Sequence, residues 1–449
     1  VIVMKFGGTS VGSAERIRAL ADLVKQRLAQ RPVVVVSALS GITDLLIRGA
    51  KLALERDPGA EDVARQVEAR HQAVLAELFP GGKNRLIEHV HGVLAELRAF
   101  YSGVHNLGEL TPRSLDAISG MGERLSCEIV AAALVARGVD ARAVDGRDVI
   151  TTDESFGRAI PLAEETGAQV RDVLLPLVED RTVPVVGGFI GATRRRVSTT
   201  LGRGGSDWSA AIIGAHLPAD EIQIWTDVDG IMTVDPRLVP GARVLPEVSF
   251  EEAAELAYFG AKVLHPATIK PAVEKGIPVR ILNSFNATAP GTVVRNLDGE
   301  APLAGEPSAI AFKKGITVIL IAQPRMLMAH GFVARVFEVF DRHRTPVDLI
   351  ATSEVSISLT VDNPATVPAV RDELSGLGEV EVLDHMAIVS IVGRGFVRRA
   401  GLAARIFQAL RDVNVVMISF GASDVNLSMV VAETDAERAV RALHAEFFE

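Results

Sequence analysis

Apolar runs and stretches of helical period alternate along the first 300 residues of this chain. Val1–Met4, Val33–Ala38 (VVVVSA), Val183–Phe189 (VPVVGGF), Glu221–Asp227 (EIQIWTD) and Ile277–Asn283 (IPVRILN) are the apolar runs. Such runs suit strands covered on both faces, as in parallel sheets. After the first of them, Ile17, Leu20, Ala21, Val24 and Leu28 recur at helical spacing. The pattern predicts an α/β fold with a mostly parallel central sheet covered by helices. Residues 51–115 read as helical and charged, an insertion or a helical layer on the lid side. Asn286–Pro307 is rich in Gly, Pro and Ala. It places the end of a first domain at residue 290 and a linker over 291–307.

Beyond the linker the pattern repeats. GFVARVFEVFDRHRTPVDLIATSEVSISLTV starts at Gly331, and GLAARIFQALRDVNVVMISFGASDVNLSMVV starts 70 residues later at Gly401. Without a gap, Ala334 matches Ala404, Arg335 matches Arg405, Phe337 matches Phe407, Ser353 matches Ser423 and Ser358 matches Ser428. Each copy reads strand, helix, strand, strand, helix. The first runs on into VEVLDHM (Val380–Met386), whereas the second stops at Glu449 without a final strand. SAIAFKK (Ser308–Lys314) sits where that strand belongs at the same offset. The expectation is two βαββαβ units: 315–386 forms the first, and 308–314 with 387–449 forms the second, the first inserted within the second.

Composition narrows the function classes. With 449 residues, 48% of them hydrophobic, the chain can bury cores in several domains. A net charge of −9 argues against a nucleic-acid-binding surface. The single cysteine, Cys127, leaves no internal disulfide framework and no multi-cysteine metal site. A reducing, cytoplasmic setting is the simplest expectation. No apolar run reaches the length of a membrane span, and the first ten residues read as a core strand instead of a leader.

Five segments carry candidate chemistry. VIVMKFGGTS ends a strand in Lys5, then supplies Gly7, Gly8, Thr9 and Ser10 before a helix. Glycines admit a ligand close to the backbone, and free N–H groups at a helix start favour an anion. The segment fits a phosphate cradle and also an ordinary strand and turn. SALSGIT puts Ser37, Ser40, Gly41 and Thr43 at the end of the second strand. Hydroxyls there meet ligands in open parallel sheets, or cap a helix. SGMGERLS opens an apolar helix with Glu123, placed either for a cationic group or as a first-turn surface charge. TLGRGGSDWSAA surrounds Arg203 with Gly202, Gly204 and Gly205, then continues into Ser206 and Asp207. Arg203 can grip a carboxylate or phosphate bidentately, and Asp207 also suits a helix cap. WTDVDGIMTVDPR contributes Thr226, Asp227 and Arg237, with Lys262 and His265 downstream. Each of these charges fits a phosphate contact or a solvated turn. His265 has no second histidine at ligand spacing, so no metal site is expected. The chain also lacks a G-x-x-x-x-G-K-[ST] loop and a nucleophile elbow.

Together these segments resemble the aspartokinases of the amino-acid kinase superfamily. The motifs are KFGGTS (Lys5–Ser10), SxxSGIT (Ser37–Thr43), GERLS (Gly122–Ser126), LGRGGSD (Leu201–Asp207), TDVDGI (Thr226–Ile231), DPR (Asp235–Arg237) and AKVLHP (Ala261–Pro266). The repeated units resemble the paired ACT domains of that family. The resemblance implies transfer of the γ-phosphoryl group of ATP to the side-chain carboxylate of L-aspartate, the first step toward lysine, threonine and methionine. It implies that Lys5 bridges the transferring phosphoryl oxygens, with Asp207 orienting it. Ser37, Thr43, Glu123, Arg203, Gly204, Gly205 and Ser206 then hold aspartate, Glu123 on its ammonium and Arg203 on a carboxylate. Lys5, Phe6, Gly7, Gly8, Thr9, Ser10, Thr226, Asp227, Met232, Arg237, Lys262 and Val263 serve ATP, with Mg²⁺ arriving on the nucleotide. Met232 departs from the family's usual aromatic residue. Met326, Ala329, Gly331, Phe332, Val333, Val347, Asp348, Ser353 and Glu354 resemble the effector site of the lysine-responsive class. ACT pairing implies a homodimer or homotetramer.

Overall fold

In the computed structural model, all residues are described except 83, 261–263, 265, 298–305, 324–329 and 396–398. The chain forms two compact units, Val1–Ile231 with Val263–Asn296, and Met232–Lys262 with Leu297–Glu449.

In the first unit the sheet runs Ala141–Val144, Val183–Gly187, Pro32–Val36, Ile2–Phe6, Glu221–Thr226, Val279–Asn283 and Thr292–Arg295 in spatial order. All neighbours are parallel up to Val279–Asn283, and Thr292–Arg295 then pairs antiparallel. The five strands from Val183–Gly187 to Val279–Asn283 carry the five apolar runs because helices cover both faces. Val3, Val33, Val34, Val35 and Val36 have no exposed surface. Thr292–Arg295 corrects the linker expectation: alternation in TVVR makes it a strand of the sheet, with Thr292 and Val294 buried. Residues 51–115 form helices that share the sheet's core and are no detached insertion. Leu46, Val67, Leu94 and Leu97 bury in that core, and the Tyr101 hydroxyl donates to the Leu46 carbonyl at 2.9 Å. A smaller sheet joins Thr151–Thr152, Ile190–Thr193 and Ser198–Thr200.

In the second unit, two strands of 14 residues, Ala309–Ala322 and Glu379–Val392, run antiparallel through a six-stranded sheet. The first half of one, Ala309–Lys314, pairs with Ala387–Val392, which pairs in turn with Asn426–Ala432. The second half, Ile316–Ala322, pairs with Glu379–Met386, and residues 317–322 pair with Ser356–Val361 on the other side. Register shifts between Lys314 and Val318 mark the junction. Each repeat thus has the same strand order, and Ala309–Lys314 occupies the edge position of the second. The helices Phe332–Arg342 and Val367–Leu374 cover one repeat, and Leu402–Ala409 and Glu433–Phe448 the other. Met232–Lys262, expected in the first domain, groups with this unit. The reason is burial: Val234 and Val239 join the core around Ile310 and Leu410, and the Ile310 amide donates to the Thr233 carbonyl at 2.7 Å. Among the described residues no helix is long and apolar enough to cross a membrane.

Candidate active site

The carboxyl ends of Ile2–Phe6, Pro32–Val36 and Glu221–Thr226 open into a cavity of about 730 Å³ in the first unit. Open parallel sheets bind ligands at this edge, where strands feed into helix starts. Lys5 points into it from the first strand and Asp207 from the first turn of the helix Gly205–His216. Lys5 Nζ and Asp207 Oδ1 are 2.6 Å apart, each side chain about one-eighth exposed. The pair is desolvated enough to fix the ammonium, yet open to a ligand.

Glycines bring backbone to the ligand space. At Gly8 a Cβ would stand 3.1 Å from the Ala38 carbonyl oxygen. Gly204 caps the helix Gly205–His216 at φ +71°, and a Cβ on Gly205 would stand 2.8 Å from Phe189 Cδ2. The helix N-terminus therefore faces the cavity; the Gly205 amide bonds the Gly202 carbonyl at 3.0 Å, and the Ser206 and Asp207 amides have no hydrogen bond among the described residues. Ser37 and Ser206 bond through their hydroxyls at 3.0 Å. Thr43, in the first turn of Ile42–Leu54, lines the same wall.

Glu123 lies in the first turn of Met121–Ala136 and is 3% exposed. Its Oε1 accepts the Ala38 amide at 3.1 Å, while Oε2 is buried without a hydrogen-bond partner among the described residues. Burial pushes its carboxyl up to about 8, against the Ala38 hydrogen bond that lowers it. A carboxylate with an unfilled buried acceptor suits a cationic ligand group. Ser126, from the same motif, donates to the Ser37 carbonyl at 2.7 Å and holds the strand end. Arg124 turns elsewhere, to Glu96 at 2.8 Å. Arg203 lines the cavity, exposed, with no hydrogen bond or ion pair among the described residues.

Of the expected site residues, Lys5, Gly7, Gly8, Thr9, Ser37, Thr43, Glu123, Arg203, Gly204, Gly205, Ser206, Asp207, Thr226 and Asp227 come together here. Two expectations are corrected. Phe6 has no exposed surface and stacks on Trp225, because the strand's alternation turns it into the core. Ser10 is buried, with its hydroxyl 2.8 Å from Ser284 Oγ and 3.3 Å from the Trp225 carbonyl. Met232 and Arg237 fall in the second unit, and the Arg237 guanidinium folds back on Asp235 at 2.6 Å within its turn. Lys262, Val263, Met326 and Ala329 lie outside the described residues.

In the second unit, Gly331 caps the helix Phe332–Arg342 at φ +78°. Phe332 is buried in the repeat's core beside Val347, while Val333 is exposed. The Asp348 side chain is 2% exposed, 3.6 Å from Lys313 Nζ, and accepts the Tyr258 hydroxyl. Ser353 closes its own turn, accepting the Ser356 amide at 3.1 Å, and Glu354 is exposed. Of the two acids expected in the effector site, Asp348 already has a cation and a hydroxyl against it, whereas Glu354 is open to solvent.

The cavity also holds residues that the sequence patterns did not single out: Asp116, Gly157, Phe189 and Thr200. Phe189 sits at φ +67°, rare for an aromatic residue, and its amide donates to Ser209 Oγ at 3.0 Å. The flanking glycines of GGFIG were the only local hint of it.

Residues 1–283 match the amino acid kinase family, and residues 389–447 match the ACT domain. Lysine-sensitive aspartokinase 3 of Escherichia coli is 38% identical, over 100% of this chain and 99% of its own. The chloroplastic aspartokinase 3 of Arabidopsis thaliana is 40% identical, over 100% of this chain and 81% of its own. The crystal structure of E. coli aspartokinase III with aspartate and ADP (R-state) superposes with a TM-score of 0.85 at 36% identity, both chains fully covered. The form with lysine and aspartate (T-state) gives 0.84 at 37%, again over both full chains. By the order of its motifs, the full-length identity and the shared fold, the chain belongs to the aspartokinases of the amino acid kinase family.

Proposed function

We propose that the cavity transfers the γ-phosphoryl group of ATP to the side-chain carboxylate of L-aspartate, giving 4-phospho-L-aspartate. The observation that carries this reading is the Lys5–Asp207 pair at 2.6 Å, lining a glycine-rich cavity together with Arg203, which is unpaired among the described residues. Nucleophile and donor are both anionic, so catalysis reduces to alignment and charge neutralisation. Asp207 points Lys5 at the phosphoryl oxygens. It need not act as a base, because the acceptor carboxylate is already ionised at neutral pH. Gly7, the Gly8 amide and the hydroxyl of Thr9 face the phosphates, with Thr226 and Asp227 on the nucleotide side. Mg²⁺ enters on the nucleotide, held by phosphate oxygens and water with few protein carboxylates; Asp207 and Asp227 are the acids lining that side.

Aspartate is gripped at two ends. Arg203 takes a carboxylate, and Glu123 Oε2 takes the ammonium that fills its missing partner. Ser37, Thr43, Gly204, Gly205 and Ser206 complete the pocket. The repeats form paired ACT units, 315–386 and 308–314 with 387–449, that bind lysine as feedback effector at Asp348 and its neighbours. The lysine-sensitive E. coli relative supports that choice. Exposed Ile350, Ile418 and Phe420 on the outer strands support pairing of these units between copies, as a dimer or tetramer. A cytoplasmic setting fits the single buried thiol.

The test is ATP-dependent hydroxamate formation with aspartate and with glutamate as acceptor. Aspartate alone should react, and Lys5→Ala should lower kcat by about 10³. Equal use of glutamate, or full turnover by Lys5→Ala, would overturn the reading.

A further inference from the structure

Asp116 lies in the helix Pro112–Ser119 and is 3% exposed. Both of its carboxylate oxygens are engaged. The Gly157 amide donates to them at 3.0 and 2.9 Å. The Thr200 amide donates to Oδ2 at 3.0 Å, and the Thr200 hydroxyl to Oδ1 at 2.7 Å. Every partner is a donor, so the site calls for an acceptor-only carboxylate; an amide or a neutral acid would turn a hydrogen onto a donor.

The two partners come from separate segments, the turn at Gly157 and the strand end at Thr200. Thr200 ends the strand Ser198–Thr200, and the next residues are the turn that carries Arg203. Gly157 belongs to the turn packed behind it: its carbonyl oxygen stands 3.2 Å from where a Cβ at Gly202 would be. The Ala159 amide adds a hydrogen bond to the Thr200 carbonyl at 2.9 Å. Arg203 has no hydrogen bond or ion pair of its own among the described residues, so the backbone beneath it decides where the guanidinium points. Gly202 and Gly204 both hold positive φ, at +77° and +71°. A turn so rich in glycine has little intrinsic stiffness. The rigidity must come from its root, and the root is Thr200.

We propose that Asp116 is a positioning residue for the acceptor substrate: it clamps Thr200 and Gly157 so that the Gly202–Gly204 turn presents Arg203 to the aspartate carboxylate. The inference rests on the assignment of Arg203 given above.

The test is a double-mutant cycle on the full chain, read by steady-state kinetics and thermal melting. Asp116→Asn should raise KM for aspartate by about tenfold or more while KM for ATP stays within about twofold. Arg203→Ala should raise KM for aspartate as well. The double variant should be no worse than Arg203→Ala alone, since the clamp acts only through that side chain. A second pair avoids dependence on the folding of Asp116→Asn: Thr200→Val, which loses the hydroxyl donor, should weaken aspartate binding, and Thr200→Ser should restore it. Unchanged KM for aspartate in a folded Asp116→Asn, additive losses in the double variant, or an unaffected Thr200→Val would overturn the proposal. If Arg203→Ala itself leaves KM for aspartate unchanged, the Arg203 assignment falls, and the clamp's stated purpose falls with it.

Discussion

Glu123 has one carboxylate oxygen on the Ala38 amide and the other buried without a donor among the described residues. Its carboxyl is pushed up to about 8 by burial. An ammonium at the bare oxygen favours the ionised form, so aspartate binding and proton release are linked. KM for aspartate should therefore fall as pH rises toward 8, and Glu123→Gln should flatten that dependence and raise KM by about tenfold. Stability moves the opposite way. Below the ordinary value of 4.5 the group is protonated in folded and unfolded chains alike. Above it, the unfolded chain ionises while the folded one keeps its proton, so stability falls until about pH 8. Glu123→Gln removes that slope, and its melting temperature should gain on the wild type between pH 5 and 8. A Gln variant with an unchanged KM profile and an unchanged melting profile would refute both halves. GERLS marked Glu123 in the sequence. Its raised proton affinity was not legible, because burial is set by Ala38 and by strands far along the chain.

The glycine turn before the helix Gly205–His216 is the element on which the site depends most. Gly204 holds φ +71° as the helix cap, a conformation that costs an L-residue about 1–2 kcal/mol. A Cβ on Gly205 would also stand 2.8 Å from Phe189 Cδ2, a ring already held at φ +67°. Gly204→Ala should lower the melting temperature by a few degrees and cut kcat/KM for aspartate by about tenfold or more. Gly205→Ala should lose more, since it adds a collision at a well-packed wall. Differential scanning calorimetry and initial rates check both, and an Ala at 204 with wild-type stability and rates would count against the role given to this turn. The glycine spacing was plain in LGRGGSD. The strain at Phe189 was not, because it is imposed by Ser209 and Leu201 across the fold.

At the scale of the molecule, the second unit is two copies of one strand order sharing two long strands. In the proposed effector site, Asp348 is already faced by Lys313 Nζ at 3.6 Å and by the Tyr258 hydroxyl. An incoming amino acid carrying an ammonium competes with the internal one. An effector acts only through its unequal affinity for two states. Turnover titrated with lysine, threonine and methionine should show inhibition by lysine, and Asp348→Ala should abolish it while sparing basal kcat. Inhibition by threonine with none by lysine would reject the effector assignment.

Local patterns in the sequence determined the parallel sheet, the order of the motifs, the 70-residue repeat and the glycine turns. Each of these is written in residues close together in the chain, as periodicity, buried runs or required backbone conformations. Tertiary structure alone decided the rest. Phe6 and Ser10 turned inward because Trp225 and Ser284 lie beneath them. Thr292–Arg295 became a strand because Val279–Ile281 offered it an edge. Asp116 entered the site because Gly157 and Thr200, 41 and 84 residues away, bring three donors to one carboxylate. Contacts at such separations leave no period in the sequence. Whether an acid is a surface charge or a clamp depends on which donors the fold sets around it.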